Sequence, residues 1–454
     1  MTTKRQISFT QGNMLHSIVL FSIPLITGEL LQNLYNSVDA LVVGNFVDQY
    51  ALAAVTVCGV IANMVVNFFN GMSVGANIVV AKASGSGDHA RMRLAVCSAF
   101  SFGVVLGVVL SVLGILAVPQ MLRFAGTQED YFEAAQVYLR IYLAGLMFTV
   151  IYNNAAGILR ALGRADVPFR ILVISCGMNI VLDLLLTGAL RMGIAGVGLA
   201  TVISQGTSAV LIYRAINRCI QGNCFDLAEM LHRGKGVVAE VLGVGAAAGI
   251  QSALIGFSNI FVTRYMNWFS AETVAGIGVA QRLDRFVILP AKSFGITMTT
   301  CVGQNLGAGR YERILKGEQN CIAVALGVTL ALSGIVYLFA PQCVALFNAE
   351  PEVVAVGVAM MHVLAPMFWI MALREVLLGV LRGCGHSVGP TILSLTGMVG
   401  VRQMFLAFTM RKSAAVEYIY YCYPVAWATT LLLLAIYCLI VRKGLLPNGK
   451  IGSR

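Results

Sequence analysis

Two aspartates, Asp39 and Asp183, stand inside long apolar runs with amide or phenol groups one helical turn away. Asp39 has Tyr35 and Asn36 at i−4 and i−3, and Asp183 has Asn179 at i−4. In helices, each carboxyl therefore shares a face with groups that can reach it. Placing an ionisable group inside a membrane span costs several kcal/mol, so both are candidates for function. A carboxylate in a low-dielectric cavity near a second one can exchange a proton near neutral pH, or hold a cation. The alternative is structural: each aspartate is satisfied by interhelical hydrogen bonds or by an arginine. Glu375 lies beside Arg374 in another apolar run and is read either as a substrate-binding group or as the partner of an arginine. Arg282, Asp284 and Arg285 share a further run without an assigned role. Glu29 falls about 80° around the helix from Asp39 and is left unassigned.

No nucleophile, base and orienting group are visible as a set, which argues against an enzyme. None of the 5 His has a partner at metal-ligand spacing. The glycines at 85, 87, 307 and 309 lack the preceding strand and the Gly-Lys-Ser/Thr ending of a phosphate loop. No metal or organic cofactor is expected.

The elements that must position the aspartates follow from composition. Hydrophobic residues make up 58% of the chain and charged residues 11%, against roughly 25% charged in globular proteins, which excludes a soluble domain. Apolar runs predict twelve spans, near 16–43, 51–81, 94–118, 132–159, 169–190, 193–217, 238–263, 272–303, 317–340, 353–381, 391–410 and 418–441. The first run is too long for a signal peptide and is expected to stay in the mature protein. The net charge of +11 is scattered singly between apolar runs, so no nucleic-acid partner is expected. Most loop and tail cations fall on one side; Arg123, Arg191, Arg264, Arg411 and Lys412 fall on the other. The positive-inside rule then puts both termini in the cytoplasm.

Landmarks also recur at one offset of 222 residues: Gly85 and Gly307, Gly87 and Gly309, Arg91 and Arg313, Pro119 and Pro341, Gly157 and Gly379, Arg160 and Arg382, Gly163 and Gly385, Pro168 and Pro390. Each repeat holds six spans, an even number, so the halves have the same orientation. The expected fold is an all-α polytopic membrane protein. Its twelve transmembrane helices form two parallel six-helix bundles related by a pseudo-two-fold axis along the membrane normal. The expected domains are an amino-terminal lobe at 1–220, a cytoplasmic linker at 221–237 and a carboxy-terminal lobe at 238–454. Duplicated bundles of this kind enclose a substrate path, which is a transporter architecture.

The segments Val38-Asp-Ala-Leu-Val-Val-Gly44, Gly71-Met-Ser-Val-Gly75, Leu159-Arg-Ala-Leu-Gly163, Asn179-Ile-Val-Leu-Asp183, Val302-Gly-Gln-Asn-Leu-Gly-Ala-Gly309 and Leu381-Arg-Gly-Cys-Gly385 resemble the multidrug and toxic compound extrusion (MATE) family. The resemblance covers residues 13 to 440. It implies a two-lobe exporter with a V-shaped cleft, working as a monomer in the bacterial cytoplasmic membrane. Such an exporter exchanges protons or sodium ions for amphipathic, often cationic organic compounds. It also implies that Asp39, Asn179 and Asp183 form an amino-lobe cation site with Tyr35 and Thr201 beside it, and that Pro24 is a hinge in the first helix. Some members carry sodium-site carboxylates in the seventh and tenth helices. Here the seventh span has Gln251 instead, which sets this chain apart. A lipid-linked precursor flippase of the same superfamily is the second reading, and an intramembrane enzyme a minor third.

Overall fold

A computed structural model of the chain describes residues 6–46 and 49–445, with side chains except at 34–53, 56, 60, 63, 64 and 442–445. The long helices are α1 (Met14–Phe46), α2 (Gln49–Gly85), α3 (His89–Phe124), α4 (Glu129–Ala161), α5 (Asp166–Asp183) and α6 (Gly193–Ile220). A short α7 (Leu227–His232) precedes α8 (Lys235–Met266), α9 (Ala271–Gly307) and α10 (Tyr311–Leu338). Then come α11 (Ala340–Ala345), α12 (Pro351–Leu364), α13 (Phe368–Gly383), α14 (Val388–Leu395), α15 (Arg402–Lys412) and α16 (Glu417–Leu445). No strand occurs among the described residues. Eleven stretches among them are long and apolar enough to cross a membrane. With α2, whose apolar run is plain from sequence, they make the twelve expected spans.

Three of these spans are not continuous α-helix. The tenth is α12 and α13 joined by a 3₁₀ turn at Ala365–Met367, where Pro366 cannot supply an amide to the ladder. Wide π turns follow α5 at Leu184–Ala189 and α14 at Thr396–Val401. Elsewhere the local chemistry is ordinary. Asp88 caps α3, its Oδ1 accepting from the amides of Ala90 and Arg91 at 2.9 and 3.0 Å.

The chain forms two compact units. The first comprises Met1–Thr10, Ile23–Gly249 and Gly307–Gly309; the second comprises Gln11–Ser22, Ile250–Leu306 and Arg310–Arg454. Within the first, glycines let helices meet backbone to backbone. A methyl at Gly71 of α2 would lie 2.2 Å from the amide nitrogen of Gly249 on α8, and one at Gly75 would lie 2.4 Å from the Val241 carbonyl. Gly107 of α3 lies against the Met147 backbone of α4, and a methyl at Gly103 would meet the Asn154 side chain at 2.2 Å. The glycine pairs Gly103/Gly107 and Gly245/Gly249, each four residues apart, thus serve helix packing. Phe69 and Met72 are buried beside them with Leu139, Leu143, Leu146 and Val150. The second unit is built around Val287, Met360, Met361, Phe368, Leu406 and Trp427.

The internal repeat is visible as the same contact made twice. In the first unit Gly157 of α4 sits against the Ser73 carbonyl of α2, and Asn77 Nδ2 donates to the Gly157 carbonyl at 3.3 Å. In the second unit Gly379 of α13 sits against the Gly295 carbonyl of α9, and Thr299 Oγ1 donates to the Gly379 carbonyl at 3.3 Å. The exits from α4 and α13 also match. Gly163 (φ 76°) and Gly385 (φ 89°) take the left-handed position. The next amides, of Arg164 and His386, donate back to Leu159 and Leu381 at 2.8 and 3.0 Å. Apolar side chains left exposed, such as Val108, Val112 and Leu116 on α3, are those expected to meet lipid.

Candidate functional site

In the first unit one buried face of α5 and the π turn after it carries Ser175, Asn179, Asp183 and Thr187, spaced every fourth residue. Asp183 is fully buried and Asn179 is 1% exposed. The face packs against α6, where Thr201, Ser204 and Ser208 are buried. Ser175 Oγ donates to the Ser204 carbonyl at 3.0 Å, and at the far end a methyl on Gly196 would come within 2.9 Å of Thr187 Oγ1. These two points fix an antiparallel register that puts Asn179 and Thr201 at about the same level, with Asp183 one turn beyond.

The chemistry of that face is oxygen-rich. Thr201 Oγ1 spends its proton on the Val197 carbonyl at 3.0 Å, so its lone pairs are left to accept or to coordinate. The buried hydroxyls Thr187 Oγ1 and Ser204 Oγ have no hydrogen-bond partner among the described residues. A carboxylate, an amide carbonyl and hydroxyls of this kind suit a hard cation or a proton. The π turn begins at the residue after Asp183, and such turns gather at functional sites. Tyr35, Asn36 and Asp39 lie on α1, but their side chains fall outside the described residues. Pro24 lies inside α1.

The second unit has a different polarity. Glu375 of α13 is ion-paired with the neighbouring Arg374, a mostly buried pair. Gln251 Oε1 accepts from Arg382 Nη2 at 2.9 Å and from Thr391 Oγ1 at 3.2 Å. A guanidinium therefore occupies the neighbourhood of the seventh-helix position, which disfavours a cation there. Gln281 Nε2 donates to Tyr423 Oη at 2.9 Å, one turn from the buried Asp284.

One residue that spacing alone did not mark is Arg402. It is 1% exposed, donates from Nη2 to Ser258 Oγ at 2.7 Å, and lies 5.9 Å from the centre of the Tyr423 ring. Among the described residues it has no ion pair. Its partners come from α8 and α16, so no i±3 or i±4 signal exists in the sequence. Ser175, Thr187 and Ser204 were also unmarked, although the fourfold spacing of Ser175, Asn179, Asp183 and Thr187 could have shown the first two.

Duplicated six-helix units of apolar helices, one with a buried carboxylate face, are the build of a membrane transporter. The MatE family pattern matches the chain twice, over residues 24–185 and 247–408, a displacement within one residue of the internal repeat. The chain belongs to the MatE family. It is 28% identical to the probable multidrug resistance protein YpnP of Bacillus subtilis, covering 88% of this chain and 89% of that one. It is 27% identical to the probable multidrug resistance protein YoeA of the same organism, covering 94% of both. Its fold matches an outward-facing multidrug resistance MATE family transporter of the MOP superfamily. That match has a TM-score of 0.90 at 20% identity and covers 98% of this chain and 99% of that one.

Proposed function

We propose that this protein is a secondary active exporter that antiports amphipathic, mostly cationic organic compounds against protons or sodium ions, with both termini in the cytoplasm. The observation that carries the reading is the fully buried Asp183, with Asn179 and Thr201 at neighbouring levels, in a chain of the MatE family. An ionised Asp183, with Asp39 as its expected partner, would hold a cation. Proton uptake removes that charge, weakens the hold on the cation and lets it leave. Sodium would compete for the same oxygens. The hinge reading of Pro24 is supported by its place: α1 passes from the second compact unit to the first between Ser22 and Ile23, next to this proline. Glu375 is assigned to the Arg374 pair, and substrate contact by it is secondary.

The test is dye export from proteoliposomes under separately imposed proton and sodium gradients, for wild type, Asp39→Asn and Asp183→Asn. Both variants should lose gradient-driven export while keeping wild-type expression and melting behaviour. Unchanged export in both removes the amino-lobe mechanism. The flippase reading has one observation in its favour, the buried Arg402 of the second unit, which has no ion pair among the described residues and whose charge suits a phosphate-bearing substrate. A wild type inactive with dyes that moves a lipid-linked sugar would select it.

A further inference from the structure

In the second unit, where α1 and α10 begin, Gly12, Met14, Arg313, Lys316, Gln319 and Asn320 enclose a cavity of about 330 Å³. Arg313 Nη2 donates to the Gly12 carbonyl at 3.0 Å, tying the segment before α1 to the first turn of α10. The walls thus carry two cations and two carboxamides, and among the described residues no carboxylate lines them. Glu312 is exposed beside Arg313 but outside the lining. Beyond this polar mouth α1 continues as apolar, exposed surface at Leu15, Val19 and Leu20. A cationic, amide-lined hollow next to lipid-facing side chains has the chemistry of a head-group site, with phosphate in the hollow and acyl chains along α1.

We propose that this cavity binds the phosphate of an anionic phospholipid. That the lipid belongs to the inner leaflet rests on the cytoplasmic placement of the termini; binding itself does not. The cavity shares no residue with the proposed ion-coupling site, so failure here leaves the transport reading standing, and the reverse holds too.

Purified full-length protein in detergent is titrated with phosphatidylglycerol, phosphatidylcholine or inorganic phosphate, and bound species are counted by native mass spectrometry. Wild type should retain one phosphatidylglycerol at least tenfold more tightly than phosphatidylcholine. Lys316→Gln should weaken that binding about fivefold, the loss expected for one cation near an anionic surface, and Lys316→Arg should keep it. Lys316 is exposed, so both variants should melt as wild type does, which keeps loss of binding separate from loss of fold. Inorganic phosphate that competes only at millimolar levels supports the lipid as ligand. Inorganic phosphate that binds as tightly as the lipid assigns the site to free phosphate and overturns the lipid proposal. Equal retention of the two lipids, or unchanged binding by Lys316→Gln, also overturns it.

Discussion

Replacing Gly71 by alanine tests the closest helix contact in the first unit. The added methyl would lie 2.2 Å from the Gly249 nitrogen and 2.4 Å from its Cα. Both are backbone atoms of α8, so no side chain can swing aside, and α2 must move away by about 1 Å or more to reach ordinary contact. The shift would be felt along the seam, because Gly75, Gly245 and Gly249 hold the same approach to Val241, Met72 and Phe68. Overpacking of this kind costs about 1–3 kcal/mol. With three backbone atoms in the way the upper end of that range applies, and alanine returns about 0.5–1 kcal/mol over glycine within a helix, leaving a net loss of about 2 kcal/mol. Gly59, in the same helix, is the control: a methyl there meets nothing within 4 Å among the described residues, so the helix-propensity gain is the effect expected. Thermal unfolding in detergent, followed by far-ultraviolet circular dichroism, should place Gly71→Ala below wild type and Gly59→Ala at or above it. A Gly71→Ala protein that melts at or above wild type would refute the close α2–α8 contact and the reasoning built on it.

Gly163→Ala should melt lower than Gly385→Ala. Both need left-handed backbone, but at Gly163 a methyl would also meet the Ile7 carbonyl at 2.0 Å, whereas at Gly385 it meets nothing within 4 Å among the described residues. Gln251→Leu should cost about 1–3 kcal/mol by leaving the buried Thr391 hydroxyl and Arg382 without their acceptor, and Gln251→Glu should be better tolerated; melting curves compare the two. Burial pushes the Cys224 thiol up to about 12 in the loop between α6 and α7. Maleimide should therefore label it far more slowly at pH 7 than an exposed thiol. Because the folded protein keeps that proton above the unfolded value of 9.0, the thiol's contribution to stability is complete below pH 9 and is lost as pH rises towards 12.

Much of the architecture was legible because its causes are local and repeated. Span length reports the bilayer, and paired glycines such as Gly163 and Gly385 report turns that only a residue without a side chain enters easily. Asn179 and Asp183 were legible because a helix stacks i and i+4 on one face. Their closeness to Thr201 came only through the family resemblance, since the register of α5 on α6 is set by Ser175, Ser204 and Gly196. The π turns at Leu184–Ala189 and Thr396–Val401 had no marker in the apolar pattern, which runs through them unbroken. Arg402 was hidden for a related reason: Ser258 and Tyr423 are remote in sequence, and a lone arginine within an apolar run looks the same whether it meets a hydroxyl, a ring or a carboxylate.

The boundaries of the two compact units run inside helices α1 and α8. The opening turns of α1 belong with the second unit, and the opening half of α8 belongs with the first. Each half of the polypeptide has thus lent its partner the start of its own leading helix. A protease cut in the linker at 221–237 would leave two fragments, each missing a piece of core that the other carries. Made separately, they should be poorly stable and should complement when co-expressed.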